Sequence, residues 1–347
     1  MIDILLSKGE GEWLKSEGPH SDIVLSTRIR LARNVSGYKF HTKITLEEAE
    51  ELLTFLKNQI LSFNGYDFLF ADLRDLPPID RRVLVERHLI SREHEIKEGP
   101  RGVAVDHDEK VSLMLLEEDH LRVQVLLSGL QVFKAWEEMK KLEEKLNSSI
   151  PMAWTKELGF LTACPTNVGT GLRVSAMLHL PGLVMTKQIE KTHATAQKIH
   201  MAIRGLYGEG SRPASDLFQI SNQITLGRSE EDICEELHEV VEKIVQWEIE
   251  TRNHLMEKKR TELEDQTSRS LGILERAHTI TSEEALQHLS RLRLGIQLGL
   301  IKNLTVKELN KIFLLVQPGH LQKEAGKELD PTERDTYRAE KLRNLLS

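Results

Sequence analysis

The chain has very little cysteine. Cys164 and Cys234 are the only two in 347 residues, too few for a disulfide framework and suited to a reducing compartment. No apolar run is long enough to cross a bilayer. Met1 to Leu14 carries acidic residues and Gly9-Glu10-Gly11 where a secretory signal needs a continuous apolar stretch. A cytoplasmic protein is expected. A basic excess is also missing. The formal net charge of -7 argues against nucleic acid as the main partner, although a local arginine cluster can still bind a small anion. There is no internal repeat and no low-complexity tract. The Gly-x-x-x-x-Gly-Lys-Ser/Thr, His-Arg-Asp and Asp-Phe-Gly motifs are absent, which excludes a P-loop enzyme and a conventional protein kinase.

What is present is a globular balance, 39% hydrophobic and 29% charged, over a length sufficient for two domains. Residues 1–228 mix strand-like and helix-like segments. Ile23 to Val35 reads as a strand, and Thr45 to Phe63 as a helix opened by a Thr45/Glu48 capping box. Gly102 to Asp106, Val111 to Leu116 and Leu121 to Leu127 read as an antiparallel meander. Thr186 to Arg204 reads as a helix and Leu217 to Leu226 as a strand. The expected class is α+β, with a mainly antiparallel sheet flanked by helices. Residues 229–347 read as an all-helical C-terminal domain. Its last helix has Asp330 as N-cap, Pro331 at the first position and Glu333 at the third.

Cys164-Pro165-Thr166-Asn167-Val168-Gly169-Thr170-Gly171-Leu172-Arg173 specifies a bent, ordered loop. Such a loop can turn backbone N–H groups toward an anion, with Arg173 adding a guanidinium fork. By composition alone it is more often a structural turn. On a strand, Arg28 and Arg30 share a face and can reach one polyphosphate; a charged sheet edge is the plainer reading. Glu117 and Glu118 are adjacent acids. His88, taken alone, reads as a surface or core histidine.

Four segments in one order alter these readings. The Cys164–Arg173 string, Ser26-Thr27-Arg28-Ile29-Arg30, Glu86-Arg87-His88-Leu89-Ile90-Ser91 and Glu117-Glu118-Asp119-His120-Leu121-Arg122 resemble the phosphagen (guanidino) kinases. Leu116 stands where that family usually has asparagine, and Val168 is a mild apolar exchange in the loop. The resemblance implies the family's catalytic fold and phosphoryl transfer from ATP, with magnesium carried by the nucleotide and no resident metal. It assigns catalysis to Glu118, Cys164 and Arg173, with Cys164 approaching the guanidinium as a thiolate. It assigns nucleotide contact to Ser26 through Arg30, His88, Arg122, Arg173-Val174-Ser175-Ala176-Met177 and Arg204-Gly205-Leu206-Tyr207-Gly208-Glu209. Tyr207 departs from the family's arginine and Arg212 stands near its substrate-binding glutamate, so Glu209, between glycines, is taken as the second carboxylate.

The small-molecule kinases carry a helical domain before their arginine strand. Here that strand begins near Ile23 and helices follow Arg228 instead. The arrangement resembles the family's protein-arginine kinases and implies an acceptor arginine within a protein. Arg334-Asp335-Thr336-Tyr337-Arg338-Ala339 matches their Arg-Asp-x-x-Arg-Ala motif and implies an allosteric phosphoarginine site at Arg334, Asp335 and Arg338; by composition it is a salt-bridged helix face. The resemblance further implies a homodimer, a stress-response role, and an activator protein, a transcriptional repressor and a Clp-type protease as partners. A kinase of a free guanidino metabolite and a weakly catalytic phosphoarginine-binding adaptor are the alternatives.

Overall fold

The computed structural model describes residues 1–7, 9, 11–205 and 215–346. An eight-stranded sheet organises the first part of the chain. Its strands are β1 (Val24–Arg33), β2 (Phe68–Asp72), β3 (Gly102–Asp106), β4 (Val111–Leu115), β5 (Leu121–Ser128), β8 (Leu172–His179), β9 (Met201–Gly205) and β10 (Leu217–Asn222), with β6 (Trp154–Thr155) and β7 (Gly159–Phe160) forming a separate small hairpin. The spatial order is β2-β3-β4-β5-β1-β8-β10-β9, and every pairing is antiparallel. The expected antiparallel meander is β3–β4–β5. One expectation fails: Thr186 to Arg204 is not a single helix. It divides into a helix over Ile189–Lys198 and the edge strand β9, because Ala202, Ile203 and Arg204 pair with Ser221, Ile220 and Gln219. Pairing across the sheet overrides a local pattern compatible with helix.

The helices are α1 (Ile2–Ser7), α2 (Leu46–Leu61), α3 (Pro78–Glu86), α4 (Arg92–Ile96), α5 (Val132–Ser149), α6 (Pro181–Met185), α7 (Ile189–Lys198), α8 (Glu230–Arg276), α9 (Ser282–Gln297), α10 (Val306–Leu315), α11 (Pro318–Ala325) and α12 (Pro331–Leu346). Helix α2 has the expected capping box, with Thr45 and Glu48 each accepting the other's backbone N–H. Asp330 and Glu333 exchange the same pair of bonds at the start of α12. Among the described residues no helix is long and apolar enough to cross a membrane.

Alternation along the strands separates two faces. Ile29, Leu31, Val123, Val125, Val174, Ala176 and Ile220 point to one side, where Leu52, Leu56, Met139, Leu142 and Leu146 cover them. This core does not stop at Arg228. Ile233, Cys234, Leu237, Val241, Ile244 and Val245, from the first half of α8, belong to it. Helix α8 leaves helical geometry at Lys259 (φ -136°, ψ 29°). Beyond that kink a second core gathers Leu274, Leu286, Leu289, Leu292, Leu309, Ile312 and Leu342. Helix-only structure therefore starts at the capped residue Ser229, while the change of core comes some thirty residues later. The two cores are joined through polar contacts. His179 of β8 meets Ser290 of α9 at 2.9 Å, Ser290 donates to Asp216 at 2.8 Å, and Arg252 of α8 donates to Glu248 at 2.6 Å and to the His179 carbonyl at 3.1 Å.

Leu237 lies fully buried in the sheet core. Leu237→Ala is expected to cost about 2–5 kcal/mol of unfolding free energy, measured by urea denaturation. A loss near zero would show that the first half of α8 is not part of that core.

Candidate active site

On the opposite face of the sheet the same alternation brings cations together. Arg30 of β1 stands opposite Arg173 of β8 and Gln124 of β5, and Arg28 stands opposite Ser175. Ala32 is the partner of Arg122, so Arg122 reaches the group from a neighbouring row. Arg204 on β9 faces Gln219 on β10. The result is a cavity of about 660 Å³ lined by Arg28, Arg30, Arg122, Arg173, Arg204, Gly205, Gln219, Glu117, Glu118, Ser91, Glu93, Lys97 and His41. Arg28 donates to Gln219 at 2.6 Å and Arg173 to Ser221 at 3.3 Å, both neutral acceptors. Arg30 Nε is buried with no hydrogen-bond partner among the described residues. Burial, then the repulsion of Arg122 and Arg173, lowers the Arg28 guanidinium to about 10. The same causes, with Arg28 added, lower Arg30 well below its ordinary range. Cations held this close destabilise one another until an anion enters, which is the property of a polyphosphate site.

Each member of the Glu117–Arg122 segment has a different task. Glu117 is buried and does not point a free carboxylate at a substrate. It takes Arg122 at 2.6 Å, the Ser91 hydroxyl at 2.6 Å and the Glu118 N–H at 2.9 Å. Burial works against its charge, but Arg122 and these donors hold it below the usual carboxylate range. Glu118 projects into the cavity, and its carboxyl is pushed up by burial and by the negative charges of Asp119 and Glu117. Asp119 accepts the Asn34 side-chain amide and the Ala163 N–H, each at 2.6 Å, tying this turn to the residue before Cys164. His120 accepts the Val35 N–H on Nδ1 at 3.0 Å, which leaves Nε2–H to donate to the Lys39 carbonyl. Leu116 holds φ 60°, a left-handed conformation that asparagine adopts more easily. Here the turn is secured by the Leu116 N–H to His120 O bond (2.9 Å) and by Lys97 donating to the Leu116 carbonyl (2.7 Å).

The Cys164–Arg173 loop departs from one expectation. Four of its backbone N–H groups are already occupied within the protein. Those of Asn167, Val168, Gly169 and Thr170 are taken by the carbonyls of Cys164, Pro165, Phe160 and Thr225. Thr225 also donates to the carbonyls of Thr166 (2.9 Å) and Val168 (2.7 Å). Gly169 sits at φ 106°, and a Cβ there would meet the Thr225 carbonyl at 2.7 Å, so the loop can close only with glycine. The loop is a brace that aims Arg173 at the cavity. Cys164 lies 3.0 Å from the Thr166 hydroxyl, outside the residues that line the cavity.

A narrow recess continues from the cavity, sharing Arg28 and Gln219 and adding Ser26, His88, Leu126, Ser175 and Met177. His88 has φ 59° and stands edge-on to Trp13, ring centroids 4.4 Å apart. Burial, then Arg28 and Arg92, lowers its ring to about 3, so it is neutral near pH 7. Of the expected nucleotide contacts, Ile29, Val174 and Ala176 face the opposite core. The Thr27 hydroxyl is spent on the Gly129 carbonyl at 2.7 Å. These were adjacent to functional positions, and strand alternation turns them away. Leu206, Tyr207, Gly208 and Glu209 lie outside the described residues. Gln219, Ser221, Ser91 and Lys97 were missed. The first two had a signal, polar residues at every second position of the predicted strand; Ser91 closes the family-like Glu86–Ser91 segment, and Lys97 had no signal.

In the helical part, Arg338 is 1% exposed. It donates to the carbonyls of Val316 (2.9 Å) and Ile280 (2.8 Å) and to Asp335 (2.6 Å). Arg334 is half-buried on the same helix. No group of three or more His, Cys, Asp or Glu suited to a metal occurs among the described residues.

Comparison with known proteins gives a consistent result. The family described as ATP:guanido phosphotransferase, C-terminal catalytic domain, matches residues 52–251, and the protein-arginine kinase McsB C-terminal domain matches residues 260–347. A protein-arginine kinase of Symbiobacterium thermophilum is 43% identical over 99% of this chain and 98% of its own. One from Geobacillus stearothermophilus is 45% identical over 96% and 93%. Among solved structures, lombricine kinase has a TM-score of 0.58 at 24% identity over 66% of each chain. The duplicated taurocyamine kinase of Schistosoma mansoni has a TM-score of 0.61 at 26% identity, over 70% of this chain and 34% of that one.

If the arginine cluster is held together against its own repulsion, Arg30→Met should raise the melting temperature of the nucleotide-free protein and weaken MgADP binding. Calorimetry of both quantities checks this. A variant that melts lower and binds MgADP normally would contradict the reading.

Proposed function

Given that the chain belongs to the ATP:guanido phosphotransferases, and within them to the protein-arginine kinases, we propose that its cavity transfers the γ-phosphoryl group of ATP to arginine side chains of proteins. The observation that carries this is Glu118 facing a cluster of inward arginines across a single cavity, whose lining also includes Glu93 and the Arg122-paired Glu117. Arg28, Arg30, Arg122, Arg173 and Arg204 bind the phosphates and the charge spread over the transferring group, where positioning and electrostatics do most of the work. The buried, unpartnered Arg30 Nε fits such an anion. Magnesium arrives with ATP, held by its phosphates and water, and neutralises part of their charge. The nucleobase is proposed to lie at the His88 end of the cavity, beside a recess that by itself has room for only about one water (about 10 Å³).

The acceptor guanidinium has a pKa above roughly 12 and is a poor nucleophile while cationic. Glu118 holds it by charge-assisted hydrogen bonds, aims one nitrogen at the γ-phosphorus and accepts its proton during attack. Its raised pKa suits a base. Glu209 is proposed as the second carboxylate and Cys164 as a further contact to the guanidinium. Arg334 and Asp335 are proposed to bind phosphoarginine, with Arg338 fixing Asp335. We also propose that the catalytic unit extends past residue 228 to the kink at Lys259, supported by the continuity of the sheet core into α8. A homodimer in the cytoplasm, stress-linked marking of proteins for a Clp-type protease, and regulation by an activator protein and a transcriptional repressor complete the proposal. The two free cysteines agree with that compartment.

Incubation with labelled ATP and an arginine-rich protein should yield an acid-labile, base-stable label; free arginine as the better acceptor would support the metabolite kinase instead. Glu118→Ala should abolish transfer while MgADP affinity is retained. Because Glu118 acts ionised and its pKa is raised, activity should be present above that pKa and fall on acidification at a pH above the ordinary carboxylate value of about 4.3. His88, neutral above about 3, does not contribute this limb. Arg173→Ala should lower kcat by about 10²–10³. Phosphoarginine affinity equal in wild type and Arg334→Ala would remove the allosteric reading.

A further inference from the structure

The helical unit reaches the His88 recess by two routes. Helix α11 starts beside the end of α3, and the Glu86 carboxylate, the last residue of α3, caps it. Glu86 accepts the Gly319 N–H at 2.6 Å, the His320 N–H at 3.1 Å and the His320 ring Nδ1 at 2.7 Å. An anion at a helix N-terminus is well placed, and the His320 and Glu86 side chains are only 2% and 8% exposed. At the other end of the pair, Lys323 of α11 meets Asp80 of α3 at 2.8 Å. The second route is aromatic: Phe313 of α10 stands edge-on to Trp13 at 6.3 Å, and Trp13 stands edge-on to His88.

Only Arg87 separates Glu86 from His88. Its guanidinium is locked by both Glu109 oxygens at 3.0 Å and by the Gly9 carbonyl at 2.8 Å. His88 then turns through φ 59°, a left-handed conformation that a non-glycine residue keeps only where its surroundings over-determine it. The last turn of α3 therefore decides where the His88 ring sits. Glu86 itself lines neither the cavity nor the recess.

We infer that Glu86 is a positioning residue for nucleotide binding, seating His88 through the α3–α11 clamp, so that the helical unit sets the affinity for ATP. The inference rests on the reading of the recess as the nucleobase end of the site. Gly319 offers a probe from the helical side. A Cβ there would lie 2.8 Å from Arg82 Cγ and 2.9 Å from Glu86 Oε2, so Gly319→Ala displaces the clamp without changing a charge or touching the cavity.

The test compares full-length Glu86→Gln, Gly319→Ala and His88→Ala with wild type. Calorimetry gives the MgADP Kd, steady-state assays on a fixed arginine-bearing protein give KM for ATP and kcat, and circular dichroism gives fold and melting temperature. Glu86→Gln and Gly319→Ala should each raise the MgADP Kd and the KM for ATP by about five- to tenfold. The kcat at saturating ATP should stay within about twofold and the KM for the protein acceptor should not change. Glu86→Asp should recover part of the affinity. Wild-type MgADP affinity in both clamp variants, whether or not they melt earlier, overturns the inference while weakened binding in His88→Ala leaves the recess reading standing. Unchanged affinity in His88→Ala removes the recess reading and the inference with it. If Glu86→Gln does not fold, Gly319→Ala decides alone.

Discussion

The architecture depends on keeping several guanidinium groups together on one face of a sheet. Arg28, Arg30, Arg122 and Arg173 are brought within mutual range by strand register, and burial, then their mutual repulsion, lowers the proton affinities of Arg28 and Arg30. That arrangement is unfavourable without an anion. It persists because the opposite face of the same strands is a continuous apolar core, whose burial far outweighs the repulsion of a few charges. Neutral Gln219 orients Arg28 without neutralising it, and Ser221 accepts from Arg173. Among the described residues Glu117 supplies a compensating charge in direct contact, and it is spent on Arg122.

This division of labour explains why two adjacent glutamates are needed at one turn. Glu117, buried and hydrogen-bonded, stabilises an arginine and the turn itself; Glu118, one residue on, faces the cavity with a raised proton affinity. Asp119 and His120 then fasten the turn to the Cys164 loop and to the exit of β1. Glu118 is thus held by three parts of the chain that are distant in sequence. That rigidity is what in-line transfer requires.

The helical unit is not an appendage to this machinery. Helix α8 begins in the sheet core and ends in the second one, Arg252 and Ser290 bond to the end of β8 and the residues beside β10, and α11 is capped by a residue two positions from His88. Arg338, three residues from Asp335, holds the Val316 carbonyl at the junction of α10 and α11. Contacts of this kind form a connected route between the last helix and the arginine-lined face of the sheet.

Much of the fold and site was legible in the sequence, for local reasons. β1, the three-strand meander, the Thr45 capping box and the Asp330 cap follow from periodicity and capping chemistry, and Arg28 and Arg30 share a face because strands alternate. What sequence could not reveal depended on distant partners. Residues 201–205 form a strand only because β10 pairs with them. The loop amides of 167–170 are unavailable because Phe160 and Thr225 take two of them from outside the loop. Glu117 and Glu118 look alike until Arg122 and Ser91 close on one of them. The sequence by itself determined the family, the reaction chemistry and the arginines that face inward, since these rest on residue types at fixed local spacing. Tertiary structure alone decided which acid is available, where the core changes and how the helical unit reaches His88, because each is set by groups that meet only after the chain has folded.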